Sequence, residues 1–270
     1  MAAVVAGSTP GCGAARPLVL DSAAPPAAAA GRSGRAAAAL LADVRGALEV
    51  ELGEPAPAVR LVLHADRAAF ARGLAAEGLD SALSRASAQT MDGIGGPGWV
   101  HVHGPALRAL PRRDRIAMLA HEVAHVFQYA WADGRRGASD QWLREGFAEW
   151  LTGRVLVRLG LVAPQEWDRR LEALRRRVSS VERPPLTRLR RFPDWLRWVE
   201  ASRGPEAYDV VVLAVQRLIE RRGVAAVVDY FRRFAARDDA DAVFLEVFGA
   251  TVDDFDHDVR AWMREAPARR

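Results

Sequence analysis

The sequence predicts an α+β fold in which a small amino-terminal subdomain with a mixed sheet precedes a mostly α-helical subdomain. Two stretches in the first part of the chain, Val59–His64 and Trp99–His103, are rich in Val and have the pattern of strands. After residue 112, apolar residues recur at helical spacing in segments that Gly and Pro separate. Candidate metal ligands fall near the start of this helical part, so we expect a metal site between the two subdomains.

The chain begins with a low-complexity stretch, residues 1–32, which is rich in Ala, Gly and Pro and is expected to be disordered. One apolar island, Pro17–Leu20, could form a first strand. Cys12 is the single cysteine, which excludes an intramolecular disulfide. The stretch is a poor signal peptide, so a cytoplasmic location is the default expectation. An exported or lipid-anchored form is the alternative if the amino terminus is truncated, with Gly11-Cys12 as the end of a lipoprotein signal.

Residues 33–112 form the predicted α/β subdomain. Glycines between Gly93 and Gly98 indicate a loop before its second clear strand. In that strand His101 and His103 share one face, and we expect them to face solvent; the alternative is that they line a cleft. The predicted elements are a helix over 33–52, a strand over 59–64, a helix over 66–76, a loop within 77–97 and a strand over 99–103.

Residues 113–266 form the predicted helical subdomain. Pro164 is expected to begin a helix and Gly223 to end one. Thr251, with Asp254 three residues later, forms a weak capping box at the start of the last helix. The predicted helices cover 114–131, 140–159, 164–178, 194–200, 206–221, 224–235, 239–248 and 252–264.

The composition is that of a globular protein, and it excludes several partner classes. Half of the 270 residues are hydrophobic, which is enough for a sizeable core. All 38 basic residues are Arg, and the 34 acidic residues are interspersed with them, which disfavours a nucleic-acid partner. No apolar run approaches the length of about 18 residues that a membrane span requires, so no transmembrane segment is expected. The sequence leaves the oligomeric state open.

The central motif is His121-Glu122-Val123-Ala124-His125, which lies inside a predicted helix. Residues four apart lie on the same side of a helix, so both imidazoles can point at one metal ion. The side chain of Glu122 leaves the helix about 100° from that of His121 and cannot be a third ligand. A carboxylate beside the metal is suited to take a proton from a water molecule that the metal activates.

A catalytic zinc ion usually has three protein ligands and an open position, so a third ligand is expected. Glu145 is the best candidate, because a turn at 133–137 and a new helix capped by Ser139 could fold it back towards His125. Glu149, one helical turn later, would share the same face. We expect its carboxylate to accept the free ring N–H of a ligand histidine.

The two motifs, H-E-x-x-H at 121–125 and W-L-x-E-G-x-A-x-W at 142–150, together resemble a known family. They are similar to the gluzincin zinc metallopeptidases, the clan of thermolysin and the zinc aminopeptidases, and in detail to the small peptidase MA-like proteins of bacteria. This resemblance implies a zincin-like fold. It also implies that His121, His125 and Glu145 bind Zn²⁺ while Glu122 acts as general base.

The same resemblance implies a substrate strand and an oxyanion donor. In such peptidases an edge strand precedes the metal helix and binds extended substrate backbone, which would be 98–103 here. Similar aminopeptidases place a tyrosine near the position of Tyr208, and a phenol suits that role because it donates a hydrogen bond and stays protonated at neutral pH. A packed tyrosine at a helix start is the alternative reading, and His257 is a weaker competitor for the role.

The predicted function is therefore zinc-dependent hydrolysis of a peptide or protein substrate, that is, a hydrolase of the metallopeptidase class. The alternative is a catalytically silent zinc-binding module with a regulatory or scaffold role, against which Glu122 argues because a structural zinc needs no base. Aminopeptidases of this clan carry a G-x-M-E-N motif upstream of the metal helix. This chain has Gly95-Gly96-Pro97-Gly98 there, so aminopeptidase specificity is not indicated. Substrate and cleavage site stay open.

Overall fold

A computed structural model describes residues 18–21, 32–135, 138–179, 182–202 and 205–265. This part of the chain is mostly helical and contains one small sheet, which agrees with the predicted α+β class. All regular elements described after residue 103 are helices. None of the described helices combines the length and the apolar composition needed to span a bilayer.

Four described strands form one mixed sheet. They are β1 (Leu18–Asp21), β2 (Arg60–His64), β3 (Gly93–Gly96) and β4 (Trp99–His103), in the spatial order β1-β2-β4-β3. Strands β2 and β4 are parallel, whereas β1 pairs antiparallel with β2 and β3 pairs antiparallel with β4. A parallel pair needs a long crossover. Two helices, α2 (Arg67–Ala76) and α3 (Ser81–Thr90), lie within the crossover here.

The prediction that the strand at 98–103 lies at the edge of the sheet is wrong, because this strand, β4, lies between β2 and β3. The strand beside the metal-motif helix is instead β3, in a stretch whose glycines indicated a loop. Glycine weakens a strand and is selected where another backbone approaches closely. Such an approach occurs here, since a Cβ atom on Gly95 would lie 2.2 Å from the carbonyl oxygen of Glu122.

The expectation of disorder over residues 1–32 is wrong for the part of this range that the structure describes. Leu18–Asp21 forms β1, with Leu18 opposite Leu63 and Asp21 opposite Arg60. A strand here covers an edge of β2 that would otherwise present unpaired backbone groups. The first helix, α1 (Arg32–Leu52), begins at the end of the same range. Residues 1–17 and 22–31, including Cys12, lie outside the described residues.

The predicted helices of the second part agree with the observed ones to within a few residues. Gly223, where a helix was expected to stop, has the non-helical angles φ 76° and ψ 164° and divides the helix Pro205–Arg233 into two helical segments, as predicted. Helices α3 and α4 (Gly104–Ala109) were not predicted. The other described helices are α5 (Arg112–Trp131), α6 (Gln141–Arg158), α7 (Pro164–Val178), α8 (Phe192–Ala201), α9 (Pro205–Arg233), α10 (Ala240–Phe248) and α11 (Val252–Arg264), with a 3-10 turn at Leu186–Arg188.

Helices α5 and α6 lie at the centre of the main core. Helix α5 packs against α6, α1 and β3, and α6 also packs against α9. Their apolar faces are fully buried; Val123, Phe127, Leu143 and Phe147 are examples. This core includes α1 and one face of the sheet, so the helix at the start of the α/β part also supports the helices that follow. The two motif helices are therefore held on several sides.

The expectation that His101 faces solvent is wrong. The rings of His64 and His101 are buried, with His64 Nε2 2.9 Å from His101 Nδ1. Gly73 of α2 makes room for them, because a Cβ atom there would lie 2.4 Å from His64 Cε1. His101 Nε2 also lies 3.2 Å from Glu77 Oε1, whereas His103 is only half-buried. His64 and His101 are therefore part of the packing beneath α2.

Acid should destabilise this fold through His64. Burial, and then the neighbouring His101, lower the pKa of His64 from 6.5 to about 4. The folded state therefore favours the neutral ring, and this contribution to the free energy of unfolding is present above pH 6.5 and is lost as the pH falls from 6.5 to about 4. We expect His64→Gln to reduce the acid-induced loss by about 3 kcal/mol.

Urea unfolding of both proteins between pH 7 and pH 4 measures this difference. His257→Gln is the control, because it makes the same substitution at an exposed position. Identical pH dependence of wild type and His64→Gln would contradict the assignment.

Candidate metal centre

Three side chains from α5 and α6 converge on one point. His121 Nε2 lies 3.2 Å from His125 Nε2 and 3.2 Å from Glu145 Oε2, and His125 Nε2 lies 3.7 Å from Glu145 Oε1. The histidines are one helical turn apart on α5, as the spacing predicts, and Glu145 reaches them from α6. Among the described residues these three form the group of potential ligands that could hold a metal ion.

The orientation of His125 is set by Gln128, which the sequence reasoning missed. Gln128 is buried and its Nε2 donates to the carbonyl oxygen of Arg144 at 2.9 Å. Its Oε1 therefore faces His125 Nδ1, 3.0 Å away, and accepts the ring N–H. The lone pair of His125 is left on Nε2, where the other two ligand atoms lie. Gln128 follows His125 by three positions, so helical spacing could have found it.

Glu149 lies on the other side of His121. Its Oε1 is 3.0 Å from His121 Nδ1, which is within ion-pair distance and on the side where a carboxylate that orients a ligand histidine is expected, although the pair lacks the geometry of a hydrogen bond. A proton on His121 Nδ1 leaves Nε2 directed at Glu145 and His125. Each ligand histidine thus has a polar partner behind it, one a carboxylate and the other an amide.

Glu145 is also held by Gln141, four residues earlier on α6. Gln141 Nε2 donates to Glu145 Oε1 at 2.5 Å. Burial opposes ionisation of Glu145, but its electrostatic interaction with His125 and its hydrogen bond with His121 outweigh burial and hold the pKa of Glu145 well below its usual range. The carboxylate is therefore ionised at neutral pH.

The charge balance of the cluster suits a cation. Burial disfavours charge on His121, yet the contacts with Glu145 and Glu149 raise its pKa well above the usual range. A proton between the converging nitrogen and oxygen atoms thus relieves repulsion among three acceptors. A divalent cation can replace that proton and accept all three ligands at once.

Glu122 is next to this cluster and is not part of it. Its Oε2 accepts a hydrogen bond of 2.6 Å from the backbone N–H of Gly95 in β3. Burial raises the pKa of Glu122, while the neighbouring His121 and His125 act in the opposite direction. The sequence reasoning missed Gly95 because its glycine context indicates a loop.

Tyr208 also reaches the centre, from the first turns of α9. Its ring lies edge-on to His121 with the ring centroids 5.9 Å apart, and 5.1 Å from the ring of Trp195. Burial, and then the charges of Glu145 and Glu149, raise the pKa of Tyr208 well above its usual range. The phenol is therefore a hydrogen-bond donor at neutral pH. The competing candidate, His257, is elsewhere on the exposed side of α11.

A groove of about 840 Å³ runs past the three candidate ligands, His121, His125 and Glu145. Helix α5 forms its floor, with His121, Glu122 and His125 among the lining residues. Strand β3 and its flanks form one wall, and α6, α7, α8 and Tyr208 form the other. Neither His101 nor His103 lines it, so the alternative reading of these two histidines is not supported. The ligand cluster is thus open to a space that a ligand much larger than water can enter.

Comparisons with known proteins do not assign this chain to a family. No family model, no curated protein and no solved structure matches it. The chemistry of the site is therefore argued from its own residues.

Metal binding should depend on the three converging side chains. We expect wild-type protein to bind one divalent cation per chain, and His125→Ala or Glu145→Ala to lose it, because each removes a ligand atom. Glu149→Gln should bind about 10–100-fold more weakly, since it alters the partner of His121. Metal analysis after dialysis and competition with a chromogenic chelator measure these effects. Glu122→Gln is the matched control and should keep the ion; unchanged stoichiometry in His125→Ala would rule out this centre.

The contact of β3 with α5 should tolerate no side chain at Gly95. We expect Gly95→Ala to lower the free energy of unfolding by about 1–3 kcal/mol, because the new Cβ meets backbone that has to move. Gly46→Ala in α1 is the control: it has no atom within 4 Å of the added Cβ and should stabilise the protein by about 0.5–1 kcal/mol. Denaturant unfolding measures both, and a neutral Gly95→Ala would show that the two backbones are further apart.

Proposed function

We propose that this protein is a zinc-dependent peptidase. The observation that carries the proposal is the convergence of His121, His125 and Glu145 beside a carboxylate, Glu122, that does not ligate and faces the same groove. A structural metal site needs no such neighbour, whereas hydrolysis by an activated water needs a base within reach.

The donor set and its spacing support zinc. Two imidazole nitrogens and one carboxylate oxygen form a typical catalytic zinc set. Ligands at about 2.0–2.1 Å from a tetrahedral centre lie about 3.3 Å from one another. His121 Nε2 lies 3.2 Å from both His125 Nε2 and Glu145 Oε2, which is close to that value, and the other oxygen, Glu145 Oε1, lies 3.7 Å from His125 Nε2. The residues present therefore fit the ion.

The resemblance to gluzincins supports the same proposal. The two motifs lie on adjacent helices, and an edge strand runs beside the first of them, an arrangement that accords with a zincin-like fold. That strand is β3, and not the predicted 98–103. We therefore assign the substrate-binding role that the resemblance implies to β3.

In the proposed mechanism, a bound Zn²⁺ ion supplies Lewis acidity that lowers the pKa of water and polarises the scissile carbonyl. Glu122 accepts the proton of the attacking water and passes it to the leaving amine. Its raised pKa suits this exchange near neutral pH. Tyr208 donates a hydrogen bond to the oxyanion that forms at the substrate carbonyl. Gln128 and Glu149 keep the ligand histidines in the productive orientation.

An extended peptide can add to the free edge of β3. The carbonyl oxygen of Asp92 bonds to β4, and backbone groups alternate in direction along a strand. Gly93 and Gly95 therefore direct their N–H and C=O groups away from β4, as the bond from Gly95 to Glu122 shows. The N–H of Gly95 is occupied by Glu122, which leaves the N–H and C=O of Gly93 and the C=O of Gly95 for substrate. Substrate backbone bound to these three groups would lie along the groove and across the metal ligands.

The alternative is a zinc-binding module without turnover. In that case the coordination position on the groove side of the ion would be filled by a further protein ligand, or it would be closed to substrate. The buried Glu122 and the open groove both favour an enzyme.

Substitution of the base should separate binding from chemistry. We expect Glu122→Gln to keep zinc but to lose peptide hydrolysis by at least about 100-fold, because an amide cannot accept the proton. His125→Ala should lose both. Zinc content and cleavage of an unbiased peptide library, with and without chelator, measure the two properties. Full activity of Glu122→Gln would eliminate the proposed mechanism.

Tyr208→Phe removes the hydroxyl and little else. We expect kcat to fall about 10–1,000-fold with KM changed less, because the lost hydrogen bond forms mainly in the transition state. Tyr129→Phe is the control, since Tyr129 also lines the groove but is assigned no role in the chemistry. An unchanged kcat in Tyr208→Phe would remove this residue from the mechanism.

A further inference from the structure

The groove continues well beyond the metal ligands towards the start of α5. Helices α5 and α6 run antiparallel, since Gln128 contacts Arg144 whereas His121 contacts Glu149. Arg113 on α5 precedes His121 by eight residues, a distance of about 12 Å along the helix axis. On α6, Gly153 follows Glu145 by eight residues and also lines the groove. Both helices thus lead to the same end of the groove.

Two exposed arginines lie at this end, Arg113 on α5 and Arg170 on α7. No described carboxylate lies within ion-pair distance of either guanidinium, whereas many other arginines are paired; Arg112 with Asp43 is an example, at 3.0 Å. Asp114 also lines this end and offsets part of the charge, but its side chain forms no ion pair with a described residue. The end of the groove therefore presents cationic groups whose charge is available to a ligand.

Arg170 is held in position by its surroundings. Its guanidinium carbon lies 5.9 Å from the ring centroid of Trp167, a cation–π contact. Trp167 is itself buried against α6, where a Cβ atom on Gly153 would lie 2.3 Å from the indole. A cation placed on a fixed aromatic surface loses less conformational entropy on binding an anion than a free side chain does.

The groove between the metal ligands and this end is lined mostly by apolar side chains. Met118 of α5, Leu156 of α6 and Leu196 of α8 are among them. On the β3 side, the acidic residues Glu77 and Asp92 are already paired with arginines. A ligand that fits would therefore have apolar groups near the metal and an anionic group further along.

We propose that the groove selects peptides that carry a carboxylate three or four residues from the scissile bond, and that Arg113 and Arg170 bind it. This inference rests on the proposed peptidase function. The spacing follows from the distance of about 12 Å and a rise of about 3.3 Å per residue in an extended peptide. The carboxylate is either the side chain of Asp or Glu or the carboxyl terminus of the peptide, and the guanidinium groups recognise the same chemistry in both.

The test uses peptides cleaved by the zinc-loaded enzyme and varies one group at a time. Glu is compared with Gln at the third and fourth residues on each side of the scissile bond, and a free carboxyl terminus is compared with its amide. We expect KM to be about three- to tenfold lower for the peptide with the carboxylate at one of these positions, with kcat little changed, and the difference to shrink at high salt.

The double variant Arg113→Gln/Arg170→Gln should lose this preference, and Arg170→Glu should reverse it. Arg169→Gln is the matched control: Arg169 is the exposed neighbour on α7, does not line the groove and contacts the backbone of Gln165 within its own helix. It should keep the wild-type preference. Both target residues are exposed, so folding should be unaffected.

Binding of the same peptides, fluorescein-labelled, to zinc-loaded Glu122→Gln gives a second readout. Cleavage with equal KM for Glu and Gln peptides, or a preference that survives in the double variant, would overturn the carboxylate site and leave the peptidase proposal intact. Arginine-dependent binding without cleavage by wild type would support the carboxylate site and overturn the peptidase. If neither binding nor cleavage is detected, both the carboxylate site and the peptidase proposal are overturned.

Discussion

The candidate site depends on the antiparallel packing of α5 against α6. This packing brings the carboxylate of Glu145 within 3.2 Å of His121 Nε2, although the two residues are 24 positions apart and lie on opposite sides of a turn. The bond from Gln128 to the backbone of Arg144 joins the same two helices and also orients His125. Packing and ligand geometry are thus coupled, because a shift of one helix along the other would break the ligand set and its support together.

A second constraint is the close approach of β3 to α5. Only glycine fits at Gly95, whose N–H holds Glu122 while the rest of the strand edge faces the groove. One short strand therefore positions the proposed base and offers backbone groups to a peptide. The remaining wall carries the features proposed to select that peptide, first the apolar groups of α6 and α8 and then Arg170 on Trp167.

Much of this site could be predicted from local sequence patterns. The spacing of His121 and His125 follows from helix geometry, and a turn followed by a new helix was enough to place Glu145 nearby. The predicted cap by Ser139 is wrong, because α6 begins after Asp140 without a side-chain cap and the hydroxyl of Ser139 accepts from Arg144 instead. The strand β3 could not be predicted, because the reason for its glycines is a contact with α5 that local propensity does not contain. The same holds for the burial of His101, which depends on the space that Gly73 leaves in α2. Patterns within one element were informative, whereas contacts between elements required the structure.

We expect the side chains of His121, His125 and Glu145 to bind one divalent cation and to leave one of its positions open to the groove. A crystal structure of the zinc-loaded protein, with anomalous data at the zinc edge, should contain a single ion about 2.0–2.2 Å from His121 Nε2, His125 Nε2 and a Glu145 oxygen, with its remaining side towards Glu122. An ion bound elsewhere, or a fourth protein side chain that closes that position, would rule out this metal centre.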